Sequence, residues 1–239
     1  MKSLIIIATY NERENIVPLI NDIFAVTPDV NILVIDDCSP DKTYELVEEL
    51  IANQFCDKLF LIKRAGKLGL GTAYVAGFNW ALEHNYAVIL HMDADFSHNP
   101  KYLPQFFEAI KTNDLVIGSR YIKGGGVVNW GLIRKFISRG GGVYSRLILG
   151  VAIHDLTGGF KCFRANVLET IGINELKSNG YSFQVETTYK TFLNQFKIKE
   201  IPIVFEDRRV GQSKMSSTIF LEALFMIVKL KFTAKAKVK

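Results

Sequence analysis

Residues 86–100 read Tyr-Ala-Val-Ile-Leu-His-Met-Asp-Ala-Asp-Phe-Ser-His-Asn-Pro. Residues 87–90 form a short apolar run with no polar face, as in a strand buried on both sides of a parallel sheet. The run ends in Asp93-Ala94-Asp95. Two carboxylates one residue apart, just past a buried strand, are costly unless positive charge sits between them. A hard divalent cation carrying substrate phosphates supplies that charge, because Mg²⁺ sites combine one or two carboxylates with phosphate oxygens and water. Open α/β sheets also collect ligands at the carboxyl ends of their strands. Taken alone, the pair reads more simply as a strand-end turn with Asp as a helix cap. The surrounding chain changes that weighting.

Working outward, strand and helix alternate with short connections. Residues 4–8 are a first apolar strand, followed by Thr9-Tyr10-Asn11-Glu12 and a helical spacing of Ile16, Leu19, Ile20, Ile23 and Phe24. Asn11 is the expected N-cap. Residues 32–35 are a second strand ending in Asp36-Asp37-Cys38, 43–53 a helix and 58–62 a third strand. Lys67-Leu68-Gly69-Leu70-Gly71-Thr72 opens a helix to about residue 84, and Pro100 begins another before a fifth strand at 115–117. This alternation predicts βαβ units, hence an α/β fold with a mostly parallel sheet flanked by helices. Three strands run straight into acidic or amide residues, which favours one shared cleft over three unrelated turns. The 67–72 stretch has neither Walker nor dinucleotide-fingerprint spacing. It is either an anion-holding helix start or a tight strand-to-helix packing site.

With 239 residues, 49% hydrophobic and 22% charged, the chain suits one globular domain with or without an appendage. Cys38, Cys56 and Cys162 are widely spaced, so they form neither a metal motif nor a disulfide framework. The opening Met-Lys-Ser-Leu-Ile-Ile-Ile does not read as a signal peptide. No run approaches the roughly 20 apolar residues of a membrane span. The net charge is +5, with the basic surplus after residue 120 and most acids before it. A basic half suits nucleic acid, an anionic membrane surface or a phosphate substrate.

After Arg120 the pattern changes. Residues 127–151 mix large apolar side chains with Arg134, Lys135, Arg139 and Arg146, and Gly140-Gly141-Gly142 predicts two short helices there. Arg134 and Ser138, four apart, share a helix face. Residues 181–196 read as helix, with Gln184 and Glu186 near its start, and 198–205 as an edge strand because Pro202 removes a ladder donor. Residues 219–228 are apolar except for Glu222, and Lys229, Lys231, Lys235, Lys237 and Lys239 crowd the tail.

Ala8-Thr9-Tyr10-Asn11-Glu12, Asp36-Asp37, Lys67-Leu68-Gly69-Leu70-Gly71, Asp93-Ala94-Asp95-Phe96-Ser97-His98, Asp155-Leu156-Thr157-Gly158-Gly159-Phe160 and Gly211-Gln212-Ser213-Lys214 occur in that order. The set resembles the inverting family-2 glycosyltransferases of GT-A fold. Within them it is similar to dolichol-phosphate (polyprenol-phosphate) mannosyltransferases, over roughly residues 3–215. Residues 130–140 look like that subfamily's acceptor-side segment.

The resemblance implies that Ala8, Tyr10, Glu12, Ile35, Asp37 and Lys67 bind the sugar nucleotide GDP-mannose, with Tyr10, Glu12 and Asp37 on its nucleoside. It implies that Asp93, Ala94 and Asp95 meet the diphosphate, with Asp93 and Asp95 holding Mg²⁺ or Mn²⁺ and Ser97 where some members place a third ligand, a glutamine. Arg120, Arg208 and Lys214 would meet phosphates, and Arg134 and Ser138 the acceptor phosphate of a dolichyl or polyprenyl lipid. Asp155 either orients the acceptor side or caps a turn. Ala8 and Cys38 depart from the proline and glycine usual in the family, and Asn179 from a lysine, for which Lys177 is a substitute. The implied activity is transfer of mannose to a polyprenyl phosphate, without nucleic acid. Glucose or N-acetylhexosamine transfer from a UDP-sugar is the alternative, and a noncatalytic nucleotide-binding module a remoter one. The expected division is a catalytic domain at 1–214 and an amphipathic helix with basic tail at 215–239. That helix and residues 127–149 are expected to attach the enzyme peripherally to the cytoplasmic face of a membrane. Packing of the helix on the domain, or cover by a membrane-protein partner, are the other readings.

Overall fold

A computed structural model describes residues 1–176, 180–206 and 217–233, with side chains except at 132–134, 181 and 217–224. In chain order the elements are β1 (Ser3–Thr9), α1 (Arg13–Val26), β2 (Asn31–Asp36), α2 (Thr43–Asn53), β3 (Leu59–Lys63), α3 (Leu70–Glu83) and β4 (Val88–Asp93). They continue as α4 (Leu103–Ala109), β5 (Leu115–Ser119), β6 (Gly126–Val128), α5 (Leu132–Leu149), β7 (Lys161–Arg164), α6 (Ala165–Ile171), α7 (Gly180–Leu193), β8 (Ile198–Pro202), β9 (Val204–Glu206) and α8 (Ser217–Thr233).

Seven strands form one sheet in the order β3-β2-β1-β4-β7-β5-β8, and β6 pairs with β9 in a small second sheet. All pairs in the large sheet are parallel except those of β7, which runs antiparallel between β4 and β5. The alternation of side chains along each strand divides the core in two. Leu4, Ile6, Leu33 and Ile35 face α3, α6, α7 and α8, while Ile5, Ile7, Ile32 and Val34 face α1, α2 and α4. This two-sided burial is why the strands read as continuous apolar runs.

The mostly parallel α/β sheet agrees with the expectation; two local readings need correction. Glu12, not Asn11, is the N-cap of α1, and its carbonyl accepts from Asn15 and Ile16. Asn11 is instead left-handed at φ +59°, where it turns the chain. The residues on either side of Gly140–142 form one helix, α5, rather than two. Each interior glycine costs only about 1 kcal/mol of helix propensity. The hydrogen-bond ladder runs from Gly131 past the glycines, and Gly150, left-handed at φ +71°, ends it.

α3 lies so close to β1 and β2 that only glycine fits at position 77. A Cβ there would come 2.7 Å from Ile35 Cδ1 and 2.8 Å from Ile6 Cγ2. That clash costs about 1–3 kcal/mol, against the roughly 1 kcal/mol of helix propensity alanine supplies. Gly77→Ala is therefore expected to lower the urea midpoint, and a midpoint at or above wild type would show that the isoleucines yield freely.

Candidate active site

The loops at the carboxyl ends of β1, β2 and β4 each carry non-glycine residues in the left-handed region: Asn11 at φ +59° after β1, Cys38 at +55° and Lys42 at +61° after β2, and Phe96 at +63° after β4. Asparagine tolerates this conformation; cysteine and phenylalanine hold it at a cost of order 1–3 kcal/mol. The family's usual glycine at position 38 is thus a backbone requirement that Cys38 meets under strain. Phe96 is held there by burial of its ring.

The two aspartates ending β2 have separate duties. Asp36 is fully buried. It accepts from Thr9 Oγ1 at 2.7 Å, Ser39 N–H at 2.8 Å and Ser39 Oγ at 2.7 Å, which ties the β1 and β2 loops together. Asp37 pairs with Arg64 Nε and Nη2; Nη2 also donates to the Gly69 carbonyl, and Nη1 donates to Thr72 Oγ1. Leu68 N–H also donates to Asp37. Arg64 thereby locks the 67–72 loop to the end of β2. The sequence reading missed it; the available signal was an arginine immediately following a strand. Lys67 Nζ sits 4.2 Å from the centroid of the Tyr10 ring, a cation–π contact across the same opening. Glu12 N–H donates to Thr43 Oγ1, and Glu12 Oε2 accepts from Asn15. Ala8 is the register partner of both Ile35 and Asp93, so the predicted nucleotide-side residues line one edge.

Asp93 is the last residue of β4, with its side chain about one-third exposed, whereas Asp95 is buried. Ser97 N–H and Ser97 Oγ both donate to Asp95 Oδ1, at 3.1 and 2.6 Å. Ser97, the expected third ligand, thus orients Asp95. Tyr74 Oη lies 3.3 Å from Asp93 Oδ1. His98 Nδ1 accepts from Asp93 N–H at 2.9 Å. Burial pushes the His98 pKa down against the pull of Asp93 and Asp95, so it serves as a neutral acceptor. Two hard carboxylates at a strand end suit Mg²⁺ or Mn²⁺ completed by diphosphate oxygens. Among the described residues no group of three His, Cys, Asp or Glu side chains gathers to hold an ion alone. An ion here takes the rest of its shell from substrate or water.

Arg120 stands just past β5. Its Nε and Nη2 reach the two oxygens of Asp155 at 2.7 Å each, its N–H donates to the same carboxylate, and Nη2 also donates to Thr157 Oγ1. Asp155 is 1% exposed. Burial alone raises its carboxyl pKa, but the Arg120 charge and hydrogen bonds bring it below the usual value. The guanidinium also lies near the rings of Tyr121, Phe205 and Trp130. Glu200 on β8 anchors the arrangement, accepting from His154 N–H and Asp155 N–H at 2.9 Å each. The sequence reading gave Glu200 no role, since only the tertiary fold brings it to this loop. Ser138 on α5 meets Tyr121 Oη at 2.6 Å. Arg134 is on the same helix, but its side chain, like Arg208, Lys214, Lys177 and Asn179 altogether, lies outside the described residues.

Comparisons with known proteins identify the family and the fold. Residues 4–172 match the model for glycosyl transferase family 2. The chain belongs to that family. It is 44% identical over 227 residues to the polyprenol monophosphomannose synthase of Mycolicibacterium smegmatis, covering 95% of this chain and 85% of the relative. It is 42% identical over 229 residues to the undecaprenyl-phosphate mannosyltransferase of Micrococcus luteus, covering 96% and 93%. Among solved structures, glucosyl-3-phosphoglycerate synthase from Mycobacterium tuberculosis, with Mn²⁺, UDP-glucose and phosphoglyceric acid, superposes at TM-score 0.69 and 15% identity over 99% of this chain and 82% of that one. The mannosyltransferase PcManGT from Pyrobaculum calidifontis, with GDP-Man and Mn²⁺, does so at 0.60 and 15% over 97% and 70%. These likenesses establish the fold of this family-2 enzyme as GT-A-like.

Beneath the cleft Lys161 is fully buried. Burial lowers its ammonium pKa from 10.5 to about 7, although Asp155 opposes the shift. The folded enzyme therefore binds fewer protons than the unfolded chain between about pH 7 and pH 10.5, so this group makes stability rise with pH across that window. Denaturation midpoints of wild type measured against Lys161→Met are expected to gain over the variant across that range. A constant difference would mean that the lysine stays charged when buried.

Proposed function

We propose that the chain transfers mannose from GDP-mannose to a polyprenyl or dolichyl monophosphate with inversion at the anomeric carbon. The observation that carries this reading is the identity above 40%, over 95% or more of this chain, to two bacterial polyprenyl-phosphate mannosyltransferases. The cleft suits the chemistry. A phosphate monoester carries about −1.5 to −2 charges near neutral pH, so it attacks without a strong general base. The protein must instead hold two anions close together and stabilise the leaving diphosphate. Asp93 and Asp95, with Ser97 orienting the latter, would hold Mg²⁺ or Mn²⁺, which supplies positive charge to the leaving group. Tyr10, Glu12, Asp37 and Lys67 flank the nucleoside side, with Asp37 held by Arg64. Arg120, fixed by Asp155, supplies charge opposite them, and Arg208 and Lys214 would add to it. Arg134 and Ser138 receive the acceptor phosphate on α5.

The acceptor reading requires a membrane surface. Among the described residues no helix is long and apolar enough to cross a membrane. On α5, Phe136, Val143 and Leu147 fall on one stripe, with Phe136 79% and Leu147 77% exposed, beside the basic Lys135 and Arg139. On α8, Ile227 and Leu230 are buried in the core while Phe225 and Phe232 are exposed. The two faces of α8 suit docking on the domain and contact with lipid at once. An amphipathic stripe flanked by lysine and arginine suits the interface of an anionic bilayer. Attachment on the cytoplasmic face, alone or beside a membrane-protein partner, follows from this reading.

Two experiments test it. Purified enzyme should transfer mannose from GDP-mannose, and not glucose from UDP-glucose, to a polyprenyl phosphate. Asp95→Asn or EDTA should each remove most of that turnover; near-normal rates in both would sink the metal assignment. In the second, sedimentation with anionic vesicles should show binding that weakens with salt. Phe136→Ser/Leu147→Ser should weaken it by about tenfold or more, because each side chain loses roughly 1.5–3 kcal/mol of full burial. Equal binding by that double variant would remove α5 from the membrane interface.

A further inference from the structure

Two buried polar side chains on neighbouring strands converge on one residue of α7. His91 of β4 and Lys161 of β7 are register partners across the antiparallel ladder, and both are fully buried. Lys161 Nζ donates to the Gln184 carbonyl at 2.6 Å, and the hydroxyls of Thr187 and Thr188 donate to the same oxygen at 3.1 Å each. His91 Nε2 lies 3.2 Å from Gln184 Oε1. Gln184 is thus held at its backbone and at its side chain. Holding it this way buries a lysine and a histidine that an apolar pair would replace without desolvation cost.

The His91 tautomer decides which way the amide points. His91 Nδ1 is buried with no hydrogen-bond partner among the described residues. A buried orphan N–H is less tolerated than an orphan lone pair, so the proton sits on Nε2 and is donated to Gln184 Oε1. The other end of the amide, the donor Nε2, then faces Gly159. A Cβ on Gly159 would lie 3.5 Å from Gln184 Nε2, 3.4 Å from His98 Cε1 and 3.8 Å from Asp93 Oδ1. The space over Gly159 is therefore bounded by an aimed amide donor and by the Asp93 carboxylate. It lies on the β7 side of β4, away from the β1 and β2 loops that flank the nucleoside. In a sugar nucleotide laid across β4 with its diphosphate at Asp93, the group reaching this space is the hexose ring.

We propose that Gln184 is a sugar-specificity residue, donating from Nε2 to a hydroxyl of the donor hexose, with His91 and Lys161 as the residues that position it. The proposal rests on the sugar-nucleotide reading of the cleft. A neutral amide reads hydroxyl position without adding charge beside the diphosphate. Sites built to bond a substrate hydroxyl discriminate strongly against ligands lacking it.

The test compares a ligand with and without the sugar. Calorimetric titration of full-length Gln184→Met with GDP should give an affinity within about twofold of wild type. The same variant should bind GDP-mannose about tenfold more weakly, the equivalent of one net hydrogen bond. Gln184→Asn, which keeps the amide on a shorter arm, should show the same selective loss and serves if the methionine variant does not fold. Equal losses for GDP and GDP-mannose, or no loss for either, would overturn the proposal. If wild type prefers UDP-glucose, the donor assignment fails on its own. The comparison of UDP with UDP-glucose then decides the role of Gln184 by the same criterion.

Discussion

The Asp155 carboxylate and the Arg120 guanidinium, joined at two points and nearly out of water, constrain the second half of the molecule. Removing one partner of such a buried pair costs about 3–5 kcal/mol, so the chain around it is shaped to keep both in place. Glu200 grips the backbone on the Asp155 side. Gly158 lets the loop close, since a Cβ there would come 3.2 Å from the Gly118 carbonyl and 3.4 Å from the Asp155 carboxyl group. Phe160 then accepts from Gly118 N–H, and β7 begins at Lys161.

That starting point has a consequence for the other half of the cleft. The ladder between β7 and β4 stops at the pairing of Lys161 with His91. Asp93, two residues further along β4, lies past the end of that ladder and is the register partner of Ala8 on the β1 side. One edge of the sheet is therefore open where the carboxylates lie, and Gly159 leaves space beside it. On the nucleoside side the organisation is different in kind. Asp36 satisfies three local donors and holds loops together, while its neighbour Asp37 is held by Arg64 at the lip. The two adjacent, buried aspartates thus have different partners: Asp36 takes hydroxyl and backbone donors of the β1 and β2 loops, Asp37 takes Arg64 and the Leu68 N–H. Asn11, Cys38 and Phe96 are left-handed in the loops that follow β1, β2 and β4, and strain of this kind concentrates at functional sites.

Much of this was legible in the chain itself. The apolar runs of β1, β2 and β4, alternating with helical patterns, pointed to a mostly parallel sheet. Polar residues where those runs stop were the basis for placing a shared ligand site at that edge. Asp93 and Asp95 stood out as a local pair at a strand end, whereas Arg120 and Asp155 drew attention only through the ordered motif set that resembles the family. The single helix across Gly140–142 was not, because glycine weakens a helix locally while packing of α5 against α8 is a tertiary term.

What the sequence determined by itself is whatever depends on neighbours along the chain: strand and helix periods, their order, and the acidic residues ending each strand. What only the tertiary structure decided depends on residues far apart in sequence. The insertion of β7 between β4 and β5 brought Lys161 beside His91, and α7 laid Gln184 across both. Glu200 reached the Asp155 loop from 45 residues away. A buried lysine and a neutral histidine have no periodic signature, because their burial is made tolerable by hydrogen-bond partners that exist only once the sheet has formed.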